Sequence, residues 1–204
     1  MQERLLTRYD PAVAALAVKY RCEETHHRRV ESFALELWAL LRPFHRLGGG
    51  EAALLRHAAR VHDLGRYVAE GRHQRHGQYL IRHDELLAGY PEPARSALGL
   101  LVRNHRKSPR LAPAAWGTDL ARRVLQLCAL LRLADGLDGS RDPAVRLVDF
   151  HAGGRAAWLF IYGLERIPGD WVRRKACLVQ PAFGCVLQVV GTGAGAARGE
   201  IRHG

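Results

Sequence analysis

The chain has 204 residues, nearly half of them apolar, enough for one substantial hydrophobic core and against disorder outside the ends. Lys and Arg outnumber Asp and Glu 31 to 20, and the formal charge of +11 favours anionic partners: phosphate-bearing ligands, polyphosphate or nucleic acid. Cys22, Cys128, Cys177 and Cys185 are scattered and form no CxxC pair, which speaks against a zinc finger or disulfide framework and for a reducing cytoplasm. The start, Met1 to Arg8, has no signal-peptide core, and no apolar run is long enough to span a membrane.

Taken in order, Asp10-Pro11 reads as a helix start, with Asp as cap and Pro in the first turn. A longer helix begins near Glu23–Thr25. Its apolar stripe is His26, Val30, Phe33, Ala34, Leu37 and Leu41, at the helical spacing of three and four, with an imidazole in the first position. Gly48-Gly49-Gly50 is expected to end it and form a loop. The next helix, Glu51 to about Val61, turns Ala52, Leu55, Ala58 and Ala59 to the core and delivers His62-Asp63 at its end. Gly65 follows, expected to supply a backbone conformation that other residues resist. A fourth helix is expected to carry His73, His76 and Leu80 on one face. A fifth, from about Pro91, runs through Leu98 and Leu101 to His105, which extends the apolar face. Ser108 to Trp116 reads as loop. The sixth helix, capped by Asp119, has the stripe Leu120, Val124, Leu127, Leu131, Asp135. A carboxylate there stands where a core leucine belongs, and burying it costs too much unless it is paired or binds a metal.

After Asp142-Pro143 the pattern changes. Val145–His151, Ala157–Tyr162 and Cys185–Val190 read as strands, with a helix over Pro168 to about Val179. The chain is therefore expected to be mainly α: a helical bundle over 1–142, a small α/β (β-β-α-β) appendage over 143–191 and a flexible tail over 192–204.

Imidazoles and carboxylates are ligands for divalent metals, and a bundle can bring His26, His62, Asp63 and Asp135 to one point. Any one of them alone is better read as a hydrogen-bonded core residue or a cap; the set carries the case. In order, it resembles the H…HD…D signature of the HD superfamily of metal-dependent phosphohydrolases. His83-Asp84, in a polar context without a following glycine, reads as a surface decoy.

A narrower resemblance rests on Gly71 to Ile81, Asn104-His105-Arg106-Lys107 and Leu131 to Asp135. These segments are similar to the C-terminal HD domain of the exopolyphosphatase/guanosine pentaphosphatase (Ppx/GppA) family, over residues from about 9 to 190. In that family hydrolysis is carried by an N-terminal actin-like module, which has no counterpart among these residues. All four ligand positions are nevertheless filled. The resemblance implies an HD-type helical domain with His26, His62, Asp63 and Asp135 holding a divalent ion (Mn, Mg, Fe, Co or Zn). Asp63 would also orient the attacking water. His73, His76 and His105 are candidates for a second metal or for phosphate contact. Arg106 and Lys107, then Arg75 and Arg103, are candidates to clamp anionic oxygens.

The leading expectation is a cytoplasmic metal-dependent phosphohydrolase acting on a nucleotide, alarmone or polyphosphate-like substrate. The alternative is a non-catalytic polyphosphate- or nucleotide-binding accessory domain. Nucleic acid and membrane are not favoured partners; a second copy of the chain or a separate catalytic chain is compatible with either reading.

Overall fold

The computed structural model describes residues 3–107 and 119–193. The chain is mainly helical, with a small three-stranded sheet after the helices. The helices run α1 Glu3–Thr7, α2 Asp10–Lys19, α3 Glu24–Leu40, α4 Gly49–Val61, α5 His73–His83, α6 Ala94–Asn104 and α7 Asp119–Leu137. Strands β1 Arg146–Gly153 and β2 Ala156–Tyr162 follow, then short helices α8 Trp171–Lys175 and α9 Val179–Phe183, and β3 Val186–Thr192. The segment 108–118, where a loop was expected, and most of the expected tail lie outside the described residues. β3 itself runs through Thr192, one residue into that tail.

The expected stripe on α3 is buried at every position from His26 to Leu37, and Leu41 beyond it is buried too. It packs against α4 and α7. Each fully buried leucine or valine of this kind contributes roughly 1.5–3 kcal/mol over an exposed one. α4 differs from its expected one-sided pattern. It buries Ala53, Leu54 and His57 as well as Leu55 and Ala58, because α1, α2, α3, α6 and α7 all touch it. Gly49 and Gly50 open α4 instead of forming a loop. The Glu51 carboxylate reaches back to the Gly48 N–H at 3.0 Å and satisfies a donor that the helix start leaves over.

Gly65 has a different job from the one expected. Its φ is not positive. A Cβ there would lie 2.0 Å from the His73 carbonyl oxygen and 2.5 Å from the Gly77 nitrogen. Glycine is required because the turn over Leu64–Tyr67 lies directly on the start of α5.

In the sheet, β2 is central, antiparallel to β1 and parallel to β3. A parallel pair needs a crossover, and the chain from α8 to α9 supplies it. The single helix expected over 168–179 is broken into α8, a 3-10 turn over Ala176–Leu178 and α9. Ala157, Leu159 and Ile161 alternate onto the inner face of β2 and join Leu131, Leu133 and Leu137 of α7 in one continuous apolar core.

Candidate metal centre

His26 stands in the first turn of α3, and its Nδ1–H donates to Asp138 Oδ2 at 2.6 Å. Asp138 is fully buried just past α7 and is also paired with Arg29 Nε at 2.5 Å. His62 and His105 follow the last residues of α4 and α6. Each turns its Nδ1–H back to the carbonyl three residues earlier, Ala59 at 2.9 Å and Val102 at 2.7 Å. Helix C-termini leave such carbonyls without partners, so a histidine in this position is locally held. His73 opens α5 and does the same to the Glu70 carbonyl at 3.1 Å.

The consequence is chemical. A carbonyl or carboxylate can only accept, so Nδ1 carries the hydrogen in all four rings and Nε2 is left as a lone pair. Those lone pairs face one another: His26 and His62 at 3.1 Å, His73 and His105 at 3.2 Å. Facing lone pairs repel, so a proton or a cation belongs between them. The Asp63 carboxylate joins the two pairs. Its Oδ1 is 3.1 Å from His73 Nε2 and 3.3 Å from His105 Nε2. Its Oδ2 is 3.7 Å from His62 Nε2 and 4.0 Å from His26 Nε2. Asp135 Oδ1 lies 3.6 Å from His26 and 3.8 Å from His62.

Burial pushes His62 well below its ordinary value and lowers His105, which keeps both neutral. Burial alone would raise the two carboxylates. The Lys175 ammonium instead holds Asp135 below the usual range, and Arg66 Nε pairs with Asp63 Oδ2 at 2.8 Å. Neutral rings beside ionised carboxylates are the ligand forms that metal binding requires. The set fits a divalent ion: His26, His62 and Asp135 each offer a ligand atom within 4.8 Å of the others, and so do Asp63, His73 and His105.

Asp63, His73, His105 and Asp135 of the cluster line a cavity of about 630 Å³; His26 and His62 do not. Arg66, Arg106, Lys107, Arg132, Arg174 and Lys175 line it, so its wall is cationic. The expected anion contacts divide here. Arg106 and Lys107 line the cavity, with Arg106 Nη1 lying 3.2 Å from His73 Nε2. Arg75 is exposed on α5 and Arg103 half-buried on α6, and neither lines it. His76 stays out of the cluster. Three residues on from His73 the helix has turned about 300°, while four residues bring Gly77 back to the buried face.

The second doublet is half surface. His83 is exposed, but Asp84 is buried. It accepts from Lys19 Nζ at 2.8 Å, Tyr20 Oη at 2.5 Å and the Leu86 N–H at 3.0 Å, tying α2 to the end of α5. The polar context reflected these partners, not exposure.

Sequence reasoning missed Arg66, Asp138, Lys175 and His27. Arg66 Nε pairs with Asp63 Oδ2 at 2.8 Å, and Asp138 lies three residues after Asp135; both spacings were legible. Lys175 Nζ bonds Asp135 Oδ2 across 40 residues, and no local signal marked it. His27 is buried beside His26. Burial and that neighbour push it down to about 4, and its Nε2 has no partner among the described residues.

Comparison with known proteins agrees with the cluster's setting. A guanosine-5'-triphosphate,3'-diphosphate pyrophosphatase of Aeromonas hydrophila is 27% identical over 127 residues, 61% of this chain and 25% of that protein. A protein of the same description from Vibrio cholerae is 31% identical over 136 residues, 61% of this chain and 26% of that protein. The chain thus matches about a quarter of the length of these curated relatives. The family described as Ppx/GppA phosphatase, domain III, matches residues 9–171. With helices α2 to α7, its histidine–aspartate cluster and most of its length inside that match, the chain belongs to the Ppx/GppA phosphatase domain III family.

Proposed function

We propose that the chain is a metal-dependent phosphohydrolase domain acting on a phosphate ester or phosphoanhydride of the nucleotide, alarmone or polyphosphate kind. The observation that carries this reading is the convergence of four Nε2 lone pairs and two carboxylates beside a cationic cavity that Asp63, His73, His105 and Asp135 line. His26, His62, Asp63 and Asp135 would hold one ion, and His73 and His105, sharing Asp63, a second. When bound, a divalent ion supplies Lewis acidity that activates water and offsets charge on phosphorus.

The chain's own groups do the rest. Asp63, with one oxygen toward each imidazole pair, is the carboxylate placed to orient an attacking water. Asp138 fixes the His26 ring through Nδ1, and such outer partners keep a ligand aligned. Arg106 and Lys107, at the wall beside the cluster, clamp phosphate oxygens and hold the reacting group in place. The guanosine polyphosphate named for the relatives is one candidate substrate; pyrophosphate and polyphosphate carry the same recognisable groups.

The test is metal analysis of the purified chain after Mn²⁺ reloading, with hydrolysis assayed on nucleotides, pyrophosphate and polyphosphate. Bound metal and turnover that both vanish in a His62→Ala/Asp63→Ala double variant are the expected result. Metal absent from the wild-type chain after reloading overturns it. A second reading, an accessory module that binds such anions without hydrolysing them, is favoured by the arginines and lysines that line the cavity. It predicts tight polyphosphate binding with no turnover, and retained binding in Asp135→Ala.

A further inference from the structure

The two oxygens of Asp135 face different groups. Oδ1 faces His26 and His62; Oδ2 is taken by the Lys175 ammonium. Lys175 is the last residue of α8 and is buried, and its Nζ also donates to the His105 carbonyl at 3.1 Å. It thus touches one candidate ligand and the backbone of another, in a segment beyond residue 171, where the family match ends.

The path of Lys175 is built into α7. A Cβ on Gly136 would lie 2.9 Å from Lys175 Cβ and 3.0 Å from Cγ. A Cβ on Gly139, one turn on, would lie 2.7 Å from Trp171 Cδ1. The two glycines form a notch that receives α8, with Trp171 and Lys175 one turn apart on the docked face. Trp171 in turn lies against the lysine, its ring centroid 5.4 Å from Nζ. Burying an ammonium is costly, and here it is made tolerable by a carboxylate, a carbonyl and an aromatic face.

We propose that Lys175 is a resident cation of the metal centre: a positioning residue that holds Asp135 by Oδ2, leaves Oδ1 to the imidazole side, and sets how tightly the site binds a divalent ion. This rests on the metal-centre reading above. A fixed positive charge bonded to a ligand opposes a metal ion and restrains that ligand to one oxygen. The same charge lines the cavity and attracts anions there. Lys175 therefore weakens metal binding and strengthens anion binding, two opposed effects that a purely structural residue would not produce together.

The experiment uses the full chain and measures Mn²⁺ affinity by equilibrium dialysis, then inorganic phosphate affinity of the Mn²⁺-loaded protein. Lys175→Met keeps the length of the stem and removes the charge. It is expected to bind Mn²⁺ about tenfold more tightly or better, the direction set by Coulomb repulsion, and to bind phosphate more weakly. Lys175→Arg restores the charge and is expected to return both affinities toward wild type. Gly136→Ala fills the notch, displaces the lysine stem and is expected to tighten Mn²⁺ binding without touching the ammonium, which covers the case of a Met variant that folds poorly. Unchanged or weaker Mn²⁺ binding in a folded Lys175→Met overturns the inference while leaving the metal centre standing. No Mn²⁺ binding by the wild-type chain overturns the metal-centre reading first, and this inference with it.

Discussion

His57 and His62 are both fully buried at or beside the same helix, and they do opposite things. His57 has a partner at each nitrogen, Tyr90 Oη at 2.7 Å and Asp10 Oδ1 at 2.6 Å. It is a satisfied core residue that ties α4 to α2 and to the chain before α6. His62 has a partner at Nδ1 and meets another lone pair at Nε2. Burial therefore does not mark the site. What marks it is a set of imidazole Nε2 atoms and carboxylates turned toward one another, a costly arrangement unless a cation completes it.

The comparison is broken most directly by deleting the cluster. In His62→Ala/Asp63→Ala, metal-dependent hydrolysis should fall by roughly 10³-fold or more, since metal Lewis acidity is worth several kcal/mol. His57→Gln should leave metal content unchanged. Steady-state rates and bound-metal analysis check both halves, and loss of metal in the His57 variant would erase the distinction. Asp138→Asn comes next. It removes the charge that orients His26 and should weaken metal binding by about 10–100-fold, the usual cost of an outer-partner change. Dialysis against a chelator reads this directly.

Gly65→Ala tests whether the close approach of the doublet turn to α5 holds the cluster together. Forcing a methyl against the His73 carbonyl should cost about 1–3 kcal/mol, measured by urea unfolding, and weaken metal binding with it. Unaltered stability would mean that the turn can move freely. The smallest effect is on pH dependence. Burial lowers His57 and His45 below 6.5. The unfolded chain then binds protons that the folded chain refuses, so stability is full above about 6.5 and falls as pH drops through that value toward the depressed one. Urea midpoints between pH 7.5 and 5 in the presence of chelator should show this slope, and His57→Gln should flatten it. A steeper slope in that variant would contradict the assignment.

Much of the site was legible because local periodicity reports which face of a helix is buried. His26 and Asp135 interrupt apolar stripes, and both are found beside the doublet. His105 follows its stripe inward in the same way. His73 and His76 were harder to separate, since a shift of one position in the buried face decides between them, and the contact of Gly65 with the start of α5 sets that face. Asp84 was misread because its partners, Lys19 and Tyr20, lie more than 60 residues earlier. The break between α8 and α9 was also hidden, in a stretch whose composition permits one helix.

By itself, then, the sequence determined the mainly helical class, the buried stripe of α3 and the identity of the polar residues that interrupt apolar stripes, since these follow from interactions a few residues apart. The tertiary structure alone decided the rest. It put Lys175 on the free oxygen of Asp135 and turned four lone pairs toward one another. It also left Arg75 and Arg103 outside the cavity while bringing Arg66 and Arg174 to its wall. The reason is physical: a side chain's local pattern fixes the side of the helix it occupies, while its partner comes from a distant segment through packing of the whole core.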